Sequence, residues 1–224
     1  MKRSRKWLAG SVAVVVLFYV VPMLGGDVKK PPAQAEGSQK PAEKQPPTTQ
    51  PGQGEMEDMM AKYKELAAPG PEHKLLERLV GKWATSTKMW MDPSAPPTES
   101  KGKMEAKAIM GGRYILSKFE SVMMNEPFEG MAIDGYDKYN KKYVSFWVDN
   151  FGTGFYTTTG TADAAGKVFT YEGKWDDPMM DRKGKPVKMV VKCVSDDKFV
   201  MEMYDEVGTP KEFKVMEIEY TRVK

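Results

Sequence analysis

KKYVSFWVDNFGTGFYTTTG, residues 141–160, is two β-strands and the turn between them. Side chains on a strand alternate with a period of two, so Tyr143, Ser145, Trp147 and Asp149 share one face and Val144, Phe146 and Val148 share the other. Gly152-Thr153-Gly154 then reads as a hairpin connection, since no helix follows it to make a phosphate cradle. Neither face of residues 143–149 is plainly the outer one. Burying a large apolar or aromatic side chain is worth roughly 1.5 to 3 kcal/mol, so Tyr143 with Trp147 nearly balances Val144, Phe146 and Val148. An inward Trp/Asp face makes this strand the wall of a ligand site; an inward Val/Phe face makes it plain core.

The same texture fills the chain from Gly81 to its end. Strands are expected near 82–91, 100–110, 113–124, 128–135, 142–150, 153–161, 167–175, 186–194, 198–206 and 211–222. Turn chemistry separates them, among others at Asp92-Pro93, Gly111-Gly112, Asn125-Glu126-Pro127, Asp176-Asp177-Pro178 and Gly208-Thr209-Pro210. Strands in such close succession predict an all-β, roughly ten-stranded, up-and-down antiparallel barrel, because closing a meander removes its exposed edges. Several strands declare their faces: Met216, Ile218 and Tyr220 oppose Glu217 and Glu219, and Phe169, Tyr171 and Trp175 oppose Thr170, Glu172 and Lys174. The charged sets belong in water.

Two helical patterns precede the strands. In EMEDMMAKYKELAA (55–68), Met56, Met59, Met60, Tyr63, Leu66 and Ala67 form one apolar stripe. PEHKLLERLV (71–80) follows a Pro-Gly break, with Pro71 at a permitted first-turn position. The Met stripe needs an apolar partner, and the Val144, Phe146, Val148 face is the one in the meander able to lie outside and still be covered. That places the helix over this face, and turns Trp147 and Asp149 into the barrel beside Tyr171 and Trp175. These four residues, with Tyr114, are the candidate ligand-binding set.

The chain opens with Lys2, Arg3, Arg5 and Lys6 ahead of an uncharged apolar run from Trp7 to Leu24. Residues 1–26 therefore read as a signal peptide or an uncleaved signal anchor, the latter tethering the chain to the membrane through residues 7–24. The barrel is expected outside the cytoplasm, periplasmic or held at the inner membrane. No Cys follows the apolar run to carry a lipid. Residues 27–54, rich in Pro, Gln and Lys, read as a disordered linker, and 55–224 as the barrel domain with its N-terminal helices. The formal charge is +3, and the four cations at the start more than account for it. What remains has no basic footprint for nucleic acid. With Cys193 alone, no internal disulfide can form.

A short helix running into Gly81-Lys82-Trp83 at the head of a meander, with Arg222 near its end, resembles the lipocalin-like (calycin) barrels. That resemblance implies that Trp83 and Arg222 meet where the barrel closes. PGPEHKLLERLVGKW (69–83), GGRYILSKFE (111–120) and GYDKYNKKYVSFWVDNFGTG (135–154) are similar to the bacterial domain-of-unknown-function family numbered fifteen seventy-nine, over roughly residues 56–223. The family is itself uncharacterised and implies no catalytic residue.

Little in the chain suggests catalysis. His73 is the only histidine, there is no Gly-x-Ser-x-Gly elbow, and its place in a short helix points to a local structural contact. One His and one Cys cannot build a His/Cys metal site. The eighteen methionines suggest core gap filling more than a copper(I)-handling surface. Neither cofactor nor metal is expected. Asp134 or Asp149, sunk in a barrel, would have a raised pKa and could act as an acid or base. The expected function is the binding of a small, mostly apolar molecule; a carboxylate-dependent envelope enzyme and a structural or partner-binding envelope protein are the alternatives.

Overall fold

The structure, a computed structural model, describes residues 52–178 and 180–224. The export segment and nearly all of the linker expected from the sequence lie outside the described residues. Ten strands follow one another in a meander: β1 (Gly81–Met89), β2 (Thr98–Ile109), β3 (Tyr114–Met123), β4 (Glu126–Asp137), β5 (Lys142–Asp149), β6 (Tyr156–Ala162), β7 (Val168–Asp177), β8 (Arg182–Ser195), β9 (Lys198–Asp205) and β10 (Phe213–Arg222). Each pairs antiparallel with its neighbours in sequence, and β1 pairs with β10, so the sheet closes on itself. Turns with positive φ, such as Gly111-Gly112, Met124-Asn125 and Gly166, reverse the chain where the sequence has its breaks.

One residue pair clamps the end of the closing ladder. Trp83 stands opposite Arg222 in the β1–β10 ladder, only 1 % exposed, with the guanidinium 4.1 Å from the centre of its ring. The indole Nε1 donates to the Leu79 carbonyl at 2.8 Å, and Arg222 donates to the carbonyls of Val80, Arg78 and Asp196. Gly81 has φ +135°, and a Cβ there would stand 2.4 Å from the guanidinium, so the Gly of Gly-x-Trp makes room for the clamp.

One end of the barrel is plugged. α2 (Pro71–Leu76) and the 3-10 turn Glu77–Leu79 lie across the end where β1 begins and β10 finishes. Leu76 enters the core with Phe169, Phe199 and Tyr220, the last two stacked 4.0 Å apart. His73 is buried against Tyr136, and its Nδ1 accepts from the Gly70 amide at 3.0 Å. Burial lowers its pKa, as befits a neutral ring with a structural contact.

α1 (Gln53–Ala67) does not take the place assigned to it from sequence. None of its residues is buried, and Met56, Met59, Met60 and Tyr63 are all exposed. Among the described residues its C-terminal end is held by Arg113 at the Ala67 carbonyl and by Lys138 at the carbonyls of Glu65 and of the C-cap Ala68. On the outer face of β5, Phe146 stacks on Phe155 instead, at 5.4 Å. The two neighbouring aromatics cover each other on that face. The reading of methionine as core filler likewise fails for α1, Met110 and Met124, which are exposed.

Candidate functional site

Between the plug and the opposite end, the barrel holds a cavity of about 710 Å³. Its wall is the inward face of the alternation, and Trp147, Asp149, Tyr171 and Trp175 all lie in it. β5 therefore turns its aromatic and acidic face inward. Tyr114 does not line the cavity: the strand's inward residue is its neighbour Ile115, while Tyr114 is 37 % exposed and covers Gly135 from outside. Alternation makes an adjacent pair such as Tyr114 and Ile115 mutually exclusive, and the β-branched residue won the core.

Aromatic rings form a collar near the open end. Phe119 meets Trp147 edge-on at 5.2 Å, Phe128 stacks with Trp147 at 6.3 Å, and Tyr156 tilts against Trp175 at 4.7 Å. Trp147 is fixed twice over. Its Nε1 donates to Asp149 Oδ2 at 2.8 Å, and its ring occupies the space beside Gly130, where a Cβ would lie 2.5 Å from it. The other Asp149 oxygen accepts from the Phe151 amide at 3.0 Å. Asp149 thus holds the indole and the following turn, which makes it a positioning group for the wall. Met104, Met189, Met201, Met203 and Met216 supply pliable surface among the rings.

The open end also carries charge. Lys185 reaches both Asp177 and Asp205 at 3.0 Å, and Arg182 pairs with Glu206. Burial would depress the Lys185 pKa, but its two carboxylate partners outweigh that and hold the ammonium above its ordinary value.

Deeper in, Asp134 is the carboxylate that matters. Its accessible surface faces the cavity, not bulk water, and burial raises its pKa to about 6 against the opposing pull of the Ser145 hydroxyl. Tyr171 and Tyr220 are close enough to feel its charge; burial first, and Asp134 second, push both phenols above their ordinary range. Two polar atoms are buried without a hydrogen-bond partner among the described residues, Thr158 Oγ1 and, in the collar, Trp175 Nε1. Both residues line the cavity. Sequence reasoning did not find Thr158, because TTTGT puts threonine on both faces of its strand and gives no contrast to read.

A family model described as "Protein of unknown function (DUF1579)" matches residues 68–222. The chain belongs to this family. The match begins after α1, the helix that buries nothing, so the DUF1579 unit is the plug and the barrel. The crystal structure of Rv2717c from M. tuberculosis is similar at 14% identity with a TM-score of 0.52, covering 70% of this chain and 100% of that one. At that identity the likeness speaks for the fold alone. A redesigned β-barrel, b11L5F_LGL, aligns at 12% identity over 70% of this chain and 100% of its own with a TM-score of 0.35, too low to carry an argument. No curated protein matches the chain.

Proposed function

We propose that this DUF1579 barrel binds a small, mostly apolar molecule in its central cavity, outside the cytoplasm. The carrying observation is the cavity itself: at about 710 Å³ it falls within the range of ligand pockets, with an aromatic and methionine wall and a few inward polar groups. A purely structural barrel would fill that space, since interiors pack to crystal-like density. Export is supported by the basic opening followed by the apolar run Trp7–Leu24, which would deliver or tether the barrel at the inner membrane. Native mass spectrometry of protein purified gently from its own envelope fraction tests both parts. A discrete added mass in the envelope fraction is the expected result. Cytoplasmic recovery would overturn the location, and an interior that takes up neither native ligand nor an added apolar dye would overturn the binding.

Asp134 supports a second reading. A cavity carboxylate with a pKa near 6 can serve as a general acid or base, and it is the residue on which a carboxylate-dependent enzyme would turn. Turnover of a bound molecule, lost in Asp134→Asn, would move this reading to first place.

A further inference from the structure

Asp134, Ser145 and Thr158 stand directly opposite one another across three neighbouring strands: Asp134 of β4 pairs with Ser145 of β5, and Ser145 pairs with Thr158 of β6. Register alone puts three hydrogen-bonding side chains side by side in the cavity wall. Thr158 is only 4 % exposed and its Oγ1 is buried with no partner among the described residues, an unmet hydrogen-bonding group that a turn about χ1 would present to a ligand.

The sign of the charge narrows what that atom belongs to. Among the described residues five carboxylates line the cavity, Asp134 in its depth and Asp149, Asp177, Asp205 and Glu206 toward the open end. Against them stand two cations, Arg182 and Lys185, each already ion-paired at the open end. No lining cation sits beside the Asp134 row among the described residues, so an anionic head group would be buried unpaired and next to a like charge.

We propose that the ligand is an apolar amine whose ammonium group sits on Asp134, Ser145 and Thr158, with its hydrocarbon or aromatic body against Trp147, Tyr156 and Trp175. This rests on the binding reading and adds the chemical class to it. The ammonium gives Asp134 the counter-charge that its burial lacks and gives the Thr158 hydroxyl a donor.

The test compares 2-naphthylmethylamine, 2-naphthylmethanol and 2-naphthoate, which share a body and differ in the head group. Binding is read by tryptophan fluorescence on the full chain in lipid nanodiscs, with empty nanodiscs as blank. At about pH 8 the amine should bind at least tenfold tighter than the alcohol, the scale of a charge-assisted hydrogen bond, and the carboxylate should bind weakest. Lowering the pH to about 5 should shrink the preference, because the amine stays charged while Asp134, with a pKa near 6, takes up a proton. The other groups facing that carboxylate, Tyr171 and Tyr220, have raised pKa values and stay neutral throughout, as does Cys193, whose pKa burial also raises.

Asp134→Asn should abolish the amine preference, with a cooperative denaturant transition reporting that the variant is folded; Thr158→Val should reduce the preference by a smaller factor. Equal binding of the three probes, tightest binding of the carboxylate, or an undiminished preference in Asp134→Asn would overturn the amine assignment and leave the binding reading standing. If neither the three probes nor the neutral dye Nile red enter the barrel, the binding reading fails with it.

Discussion

The Arg222 guanidinium lies 4.1 Å over the Trp83 ring and, at the same time, donates to the Val80 carbonyl at 2.8 Å and the Arg78 carbonyl at 3.0 Å. One side chain thereby ties the last strand to the first strand and to the turn that plugs the barrel. Arg222→Ala should cost about 1 to 3 kcal/mol in urea unfolding, since it leaves the half-buried Val80 carbonyl unpaired and removes the cover of the indole. Arg222→Lys should recover less than half of the loss, because an ammonium cannot reproduce the planar fork. Gly81→Ala should destabilise by a comparable amount, its Cβ meeting the guanidinium at 2.4 Å on a backbone with φ +135°.

Asp134 predicts a pH signature of stability. Its pKa of about 6 in the folded chain lies above the ordinary 3.8, so the folded state holds this proton more tightly than the unfolded state does. The stabilisation is therefore complete below about pH 4 and is lost as the pH rises through about 6. Asp134→Asn removes the titration. The variant should match the parent near about pH 3.5 and exceed it by about 2 to 3 kcal/mol above about pH 7, as measured by denaturant midpoints across that range. A gap that does not widen with pH would show that Asp134 is not held in a desolvated site.

Gly130 is where the cavity is most easily altered without touching its chemistry. A methyl group at this position would meet the Trp147 ring at 2.5 Å, and the ring, bonded to Asp149, must shift. Gly130→Ala should weaken an apolar probe by about tenfold, at a stability cost of about 1 to 3 kcal/mol typical of overpacking. Asp149→Ala should reach the same end from the other side by freeing the indole, with a red-shifted tryptophan emission as the readout.

The exposed helix α1 gives a prediction about modularity. A chain beginning at Ala68 should unfold within about 0.5 kcal/mol of one that retains α1, since the helix buries no side chain. Phe146→Asp, which loses a ring stacked on Phe155, should cost about 1 kcal/mol, and by the same amount whether α1 is present or not. A cost that depends on α1 would place the helix on that face after all.

Alternation and turn residues were enough to place all ten strands, because each hairpin is local: a run with period two bounded by Gly, Pro or Asp can satisfy its backbone only by pairing with the next run. Where one face was charged, as with Glu217 and Glu219 on β10, the sign of the face was legible too, since burying a carboxylate unpaired costs more than any packing returns. The Trp83–Arg222 closure was legible as well, by family resemblance and not by physics. Tertiary structure decided what local pattern leaves open. The two faces of β5 weigh nearly the same, so only the closed barrel, with Gly130 making room for Trp147, settles which one looks inward. The stripe on α1 was amphipathic but nothing required it to dock, and Phe155 covered its expected partner. The row of Asp134, Ser145 and Thr158 exists only through the register of three strands, whose residues lie 11 and 13 positions apart in the chain. Sequence spacing carries no record of such a juxtaposition, because cross-strand neighbours are fixed by where each turn folds and not by any property of the residues that come to share the wall.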